Sequence, residues 1–125
     1  MARKQVTSAA ERVRGDAVLA AVLNELDLRL RRRFGNAYVK VILFGSRARG
    51  DHAPDSDADV AVVFGNPIED GWQIKKQIIE ETYPLLLSTG LYIQPWAVSK
   101  RDLENPEAAA NRALLRSILR EGVTA

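Results

Sequence analysis

The sequence predicts an α/β (α+β) domain in which a small β-sheet is flanked by helices. Apolar residues recur at helical spacing near both ends and in the middle of the chain, β-branched runs lie between them, and glycine- or proline-rich turns separate the segments. With 125 residues and 46% hydrophobic content, the chain can bury a core of its own. No repeat or long linker divides it, so we expect one domain over residues 1–125.

The N-terminal part of the sequence predicts one long helix. Ser8 and Glu11 have the spacing of a capping box. Leucines and a valine then recur every three or four residues until Gly35-Asn36 breaks the pattern, and these residues are Leu19, Val22, Leu23, Leu26 and Leu30.

Two strands follow this helix. Tyr38–Phe44 is a β-branched and aromatic run that is too apolar for an exposed strand, so it predicts a central strand that ends at Gly45. After a turn region, Asp57–Phe64 alternates in the manner of a second strand. The first residues of this second strand are acidic.

The second half of the chain predicts a helix, a strand and a final helix. The helix covers residues 70–90, and Leu91–Val98 is typical of a strand. Pro95 cannot donate a ladder hydrogen bond and therefore indicates an edge strand or a bulge. Asn105-Pro106 is a typical helix start, and Gly122 follows the end of that helix.

Composition excludes several classes of protein. The absence of cysteine rules out disulfides and thiolate metal sites and suits a reducing compartment. Residues Met1 to Gln5 lead into polar sequence and not into an apolar signal core, and no apolar stretch approaches the roughly 20 residues of a membrane span. We expect a soluble, cytoplasmic protein without membrane association.

Charge is unevenly distributed along the chain. Residues 1–50 contain eleven Lys and Arg against four Asp and Glu (+7), and residues 51–125 contain seven against twelve (−5). The arginines Arg29, Arg31, Arg32 and Arg33 favour a solvated helix face. The alternative is a surface for a polyanion such as nucleic acid, or for an acidic partner.

A group of residues around the two predicted strands indicates phosphate and metal chemistry. Asp57 and Asp59 lie two apart, so their carboxylates project from the same face of a strand and can converge on Mg²⁺ or Mn²⁺. Gly45 permits close approach of a phosphate to the backbone, and the Ser46 hydroxyl can donate to it. Arg47 and Arg49 can add charge-assisted hydrogen bonds.

Each of these residues alone is ordinary turn chemistry, but their combination is specific. The segments Phe44-Gly45-Ser46-Arg47-Ala48-Arg49-Gly50 and Ser56-Asp57-Ala58-Asp59-Val60 resemble the signature of the polymerase-β nucleotidyltransferase superfamily, and most of all its minimal prokaryotic members. The closing segment 118–123 is also similar to the ends of such chains.

The resemblance implies a nucleotidyltransferase fold, in which a small mixed sheet is flanked by helices. It also implies that Asp57 and Asp59 are catalytic metal ligands, that Gly45 and Ser46 bind a nucleoside triphosphate, most readily ATP, and that Mg²⁺ is the cofactor. The reaction implied is transfer of a nucleoside monophosphate to an acceptor hydroxyl with release of pyrophosphate.

One feature departs from the family pattern. Active members usually carry a third carboxylate on a later strand, but Leu91–Val98 contains neither Asp nor Glu, and Gln94 is the best match for the position. Glutamine can ligate a metal through its carbonyl oxygen but cannot act as a base. A loop carboxylate from Glu69, Asp70 or Asp102 is an alternative.

Two hypotheses for the function remain. The chain is too short for a second substrate domain, so an active enzyme needs an acceptor from a partner or from another copy in a homo-oligomer. The resemblance suggests a partner of HEPN type, with this chain as the antitoxin of a toxin–antitoxin pair.

The alternative is a catalytically degenerate domain that acts as a protein-binding module. Nucleic-acid binding through the arginine-rich helix end is a third, weaker expectation.

Overall fold

The computed structural model describes residues 8–125. The predicted order of helix, strand, strand, helix, strand and helix is present, together with short additional elements. The helices are α1 (Ala9–Gly15), α2 (Ala17–Phe34), α3 (Ser46–Arg49), α4 (Gly71–Thr89), α5 (Lys100–Glu104) and α6 (Arg112–Glu121), and the strands are β1 (Tyr38–Phe44), β2 (Ala58–Phe64), β3 (Ile93–Ser99) and β4 (Val123–Thr124). Residues Met1 to Gln5, for which the sequence predicts no signal core, lie outside the described residues.

The single helix predicted at the N-terminal end is in fact two helices. Ser8 caps α1 as predicted, because its hydroxyl accepts a hydrogen bond from the Glu11 amide at 3.1 Å. The backbone then becomes extended at Asp16, whose carboxylate accepts from the Leu19 amide at 3.1 Å and starts α2. The prediction of one long helix was wrong, because apolar residues recur at helical spacing immediately after Asp16 and the sequence pattern shows no break there.

The last helix also differs from the prediction. Residues Pro106–Ala108 form only a 3₁₀ turn, and α6 begins at Arg112. Beyond Gly122, the chain adds β4, a two-residue strand that has no sequence pattern long enough to predict it.

The sheet is mixed, with strand order β3-β2-β1-β4. β1 is antiparallel to both β2 and β4, whereas β2 and β3 are parallel. β1 is therefore central, as predicted, and β3 is an edge strand, in keeping with Pro95.

Helices cover the two faces of the sheet unequally. On one face α1, α2 and α4 enclose the larger core, which includes Leu23, Leu26, Leu30, Val41, Leu43, Val60, Val62 and Ile78. On the other face α6 encloses a smaller cluster that includes Ile42, Phe44, Ala61, Val63, Leu115 and Ile118. We call this second side the α6 face, and it leaves the start of β2 uncovered for chemistry.

Acidic partners occupy the arginine-rich end of α2. Arg31 pairs with Asp27 at 3.2 Å, and Arg33 reaches Glu80 of α4 at 2.8 Å. Arg29 and Arg32 share Glu25. These contacts favour the solvated helix face over a polyanion site. Among the described helices, none has the length and apolar character required to cross a membrane.

Candidate active site

The two predicted metal ligands lie together at the start of β2. Asp57 immediately precedes the strand and is exposed, and Asp59 is its second residue and half-buried. Alternation along the extended backbone directs both side chains to the α6 face. Asp59 pairs laterally with Phe44 of β1 and with Gln94 of β3, so it occupies the middle of the sheet.

Gly45 is fixed in place by its contact with Asp59. Its backbone has φ of 77° and ψ of −157°, a conformation reserved almost entirely for glycine. A Cβ added at this position would lie 2.5 Å from Oδ2 of Asp59. The missing side chain therefore lets the loop after β1 lie directly against the carboxylate, and it brings Ser46 to the same site.

The electrostatics of Asp59 favour a cation at this position. Burial raises the pKa of Asp59 above its ordinary value, and the negative charges of Asp57 and Glu121 raise it further. The indole N–H of Trp96 and the charge of Arg49 act in the opposite direction. The Nε1 atom of Trp96 is buried and makes no hydrogen bond of standard geometry in the described part of the chain. A bound cation would relieve the repulsion between the two aspartates.

Arg47 and Arg49 have different surroundings, although both were expected to bind nucleotide. Arg47 is buried, and its guanidinium donates to the carbonyls of Ser56 at 2.8 Å and Pro54 at 3.2 Å. The remaining guanidinium nitrogen of Arg47, Nη1, lies 3.7 Å from the carboxylate of Asp16. These contacts hold the Arg47 guanidinium inside the protein. We assign to Arg47 a structural role, in which it supports the loop that leads to Asp57.

Arg49 is exposed and lies on the active-site side of α3. Its guanidinium pairs with Asp51 at 3.1 Å and with Glu121 at 2.8 Å. Of Arg47 and Arg49, it is Arg49 whose positive charge acts on Asp59, where it opposes the rise in the pKa of that carboxyl.

Glu121 is a site residue that sequence reasoning missed. Its Oε2 accepts hydrogen bonds from the Gly45 amide at 3.0 Å and from Arg49 at 2.8 Å. It ends α6, and the pairing of β4 with β1 brings this helix end beside Gly45. The only signal in the sequence was the Glu-Gly pair at the end of a helical pattern, which gives no indication of a contact this distant along the chain.

The loop carboxylates considered as a third metal ligand lie at the wrong end of the sheet. Glu69 and Asp70 follow the end of β2, and Asp102 follows the end of the parallel strand β3. Five residue steps of about 3.3 Å separate Asp59 from the end of β2 at Phe64, so these carboxylates follow strand ends about 17 Å from Asp59. Gln94 is the direct neighbour of Asp59, and no group of three or more His, Asp or Glu side chains within residues 8–125 is arranged to hold a metal ion.

The site lies on an open surface. A cavity of about 290 Å³ lies behind the loop that precedes Asp57, and its lining includes Asp16, Arg47, Ser56 and Tyr92. Asp57 and Asp59 are not among its lining residues, because they project to the opposite face of the sheet.

Residues 23–107 match the model of the nucleotidyltransferase domain, which is more than half of the chain. The chain belongs to the nucleotidyltransferase family. The matched segment contains both strands of the site and all the predicted ligands, whereas Glu121 lies beyond it.

Similar proteins agree with this assignment. The nucleotidyltransferase is 30% identical over 88 residues to a candidate protein adenylyltransferase of Methanocaldococcus jannaschii, a match that covers 70% of this chain and 60% of that protein. This chain therefore spans less than two thirds of that relative.

Two solved structures share the fold. A chain in the crystal structure of a toxin–antitoxin with AMP-PNP superposes with a TM-score of 0.52 at 21% identity, over 82% of this chain and 72% of that one. A candidate nucleotidyltransferase from Sulfolobus solfataricus gives 0.51 at 18% identity, over 98% and 90%. The fold predicted from the sequence, a small mixed sheet flanked by helices, is confirmed.

Proposed function

We propose that this nucleotidyltransferase transfers a nucleoside monophosphate from a nucleoside triphosphate, with ATP as the expected donor, to an acceptor hydroxyl. The acceptor oxygen forms a bond to the α-phosphorus, the bond to the β-phosphate oxygen breaks, and pyrophosphate leaves while the hydroxyl proton passes to solvent. The observation that carries the proposal is the placement of Asp57 and Asp59 on one face, with Asp59 directly against a glycine that has no room for a side chain.

Asp57 and Asp59 would hold Mg²⁺ or Mn²⁺. Their oxygens suit hard cations, and the pKa of Asp59 is raised first by burial and further by the charge of Asp57, a repulsion that a cation would offset. When bound, the cation would neutralise charge on the phosphates. Gln94 beside Asp59 offers a neutral carbonyl oxygen but no base, so the acceptor proton is left to solvent.

The Gly45 amide, the Ser46 hydroxyl and Arg49 would bind the triphosphate. The contacts of Glu121 support this role, because the Gly45 amide and the Arg49 guanidinium converge on one of its anionic oxygens. Catalysis then consists mainly of holding the triphosphate in line with the acceptor and stabilising its charge.

The acceptor is proposed to be a partner protein, with this chain as the antitoxin of a HEPN-type pair. Two similarities support this assignment: the M. jannaschii relative is a candidate protein adenylyltransferase, and one structural neighbour comes from a toxin–antitoxin with AMP-PNP. A second copy of the chain is the alternative acceptor.

The test is transfer of label from α-³²P-ATP in the presence of Mg²⁺. Wild type should label the co-expressed partner, whereas Asp59→Asn should label it at least about 100-fold less, since charge stabilisation at such sites is worth several kcal/mol. Asp55→Asn changes an exposed aspartate in the preceding loop by the same chemistry and should retain activity. Equal labelling by wild type and Asp59→Asn would overturn the proposal.

One observation favours the alternative of a protein-binding module. Helix α4 presents an exposed apolar stripe on the side of the sheet opposite the aspartates, formed by Trp72 (71% exposed), Ile79, Tyr83 and Leu87 (69% exposed). If Trp72→Ala with Leu87→Ala abolishes partner binding while Asp59→Asn leaves both binding and neutralisation of the partner intact, the module is the correct function.

A further inference from the structure

Glu121 occupies the donors that the proposed function assigns to the triphosphate. We infer that its carboxylate is a built-in competitor, which fills the phosphate site of the empty protein and must leave before a nucleotide binds. This inference rests on the proposed function, since it concerns the regulation of that same site. It is supported by a pair of contacts, by their burial, and by the way the end of the chain is anchored.

The contacts imitate those of a phosphate oxygen. A single atom, Oε2, accepts from a backbone amide at 3.0 Å and from a guanidinium at 2.8 Å. The side chain of Glu121 is only 12% exposed, so these are not the transient contacts of a surface glutamate. Because a phosphate oxygen would need the same two donors, the carboxylate and the triphosphate cannot both be bound there.

Charge makes this competition unfavourable for the nucleotide. Glu121 adds its negative charge to a site that already holds Asp57 and Asp59, because its Oε2 binds the amide of Gly45, the residue that lies against the Asp59 carboxylate. A triphosphate that approached with Glu121 in place would meet three carboxylates. Departure of Glu121 removes this repulsion and takes away one of the two carboxylates that pair with Arg49, the other being Asp51.

The backbone at this end of the chain is held in place, so the side chain is the part that moves. Val123 pairs with Leu43 and Thr124 with Ile42. A Cβ at Gly122 would lie 2.6 Å from Cγ2 of Ile42, so the backbone is pressed against β1. Rotation of the Glu121 side chain about its own bonds would clear the site without unpairing β4, and its other oxygen, Oε1, already lies 3.5 Å from Arg120.

The test is calorimetric titration with ATP and, separately, with inorganic tripolyphosphate, both with Mg²⁺. Glu121→Gln removes the charge at nearly constant shape and should tighten binding of both probes about 5- to 10-fold. Glu121→Asp cannot span both donors and should shift affinity in the same direction by less. Glu104→Gln, an equal change of charge at an exposed position of α5, should leave affinity unchanged.

The outcomes separate this inference from the proposed function. Unchanged or weaker binding by folded Glu121→Gln overturns the inference and makes Glu121 a supporting ligand, even if wild type transfers nucleotide. Tighter binding of both probes without any transfer to an acceptor supports the inference while the proposed function fails. If no variant binds either probe, both are wrong.

Discussion

At the scale of single residues, the site depends on the contact between Gly45 and Asp59. A side chain at position 45 would need both a backbone conformation that only glycine adopts readily and the space that Asp59 occupies. Gly90 isolates the effect of a positive φ, since its φ of 76° and ψ of −3° place it in the left-handed region with open space around it.

We predict that Gly45→Ala abolishes nucleotide binding and transfer, because the new methyl group displaces the Asp59 carboxylate. Gly90→Ala should lower the free energy of unfolding by about 1 kcal/mol through backbone strain alone and should keep both activities. Titration with ATP and chemical denaturation of both variants measure this. Retention of binding by Gly45→Ala would show that Asp59 is not held as described.

Some single residues of the site could be predicted from the sequence, and others could not. The positions of Gly45, Ser46, Asp57 and Asp59 next to the two strands could be predicted, because short-range spacing on strands and turns determines their geometry. The different surroundings of Arg47 and Arg49 were not found, because the side of α3 on which each guanidinium lies depends on packing against Asp16 and Glu121. Glu121 itself is 76 residues from Gly45, and only tertiary structure joins them.

At the scale of elements, Asp16 links the start of α2 to the active-site loop. Its carboxylate caps α2 through Leu19 and lies near Arg47, which in turn holds the carbonyls of Pro54 and Ser56. The break between α1 and α2 thereby supports the segment that presents Asp57.

We predict that Asp16→Ala lowers the free energy of unfolding by about 1 to 2 kcal/mol, because the cap is lost and a buried arginine loses a partner. Ser8→Ala removes an exposed cap of the same kind and should cost less, about 0.5 kcal/mol. Urea denaturation of the two variants measures the difference. Equal losses would mean that the Asp16–Arg47 contact contributes nothing.

The helices and strands differ in how well hydrophobic periodicity predicts them. Strands β1 and β2 follow their hydrophobic patterns closely, since each buries a continuous face, whereas α4 leaves apolar residues such as Trp72 and Ile79 exposed. Asp16 interrupts a pattern that continues on both sides, and β4 has only two residues. A single interrupting residue or a two-residue strand is too short for hydrophobic periodicity to distinguish it from the neighbouring sequence.

At the scale of the whole molecule, stability should depend on pH through Tyr38. Burial raises the pKa of Tyr38 well above its ordinary value, and its hydroxyl also donates to Asp27 at 2.6 Å, which joins β1 to α2. The folded protein therefore keeps this proton at a pH where the unfolded chain, with a tyrosine pKa of about 10, has lost it.

Since a raised pKa stabilises the fold below the unfolded value, the free energy of unfolding should fall as pH rises above about 10, by up to about 1.4 kcal/mol per pH unit. Tyr38→Phe should lose this slope, and Tyr83→Phe, at an exposed tyrosine, should keep it. Denaturation between about pH 9 and 11 measures both slopes. Identical slopes in wild type and Tyr38→Phe would contradict the assignment.

The packing of helix α2 on helix α4 also explains the uneven distribution of charge along the sequence. The basic first half and the acidic second half meet where α2 packs on α4, and Arg29 and Arg33 pair there with Glu80 and Glu81. Composition alone cannot distinguish such internal pairing from a surface for nucleic acid, because the distinction depends on which helices are neighbours.

The central claim is that Asp57 and Asp59 form a metal-dependent triphosphate site beside Gly45. The most direct test is calorimetric titration of wild type and the double variant Asp57→Asn, Asp59→Asn with each nucleoside triphosphate, with and without Mg²⁺. We predict that wild type binds a triphosphate only with Mg²⁺ and that the folded double variant loses this binding. Binding that is the same without the metal, or that survives in the double variant, would contradict the claim.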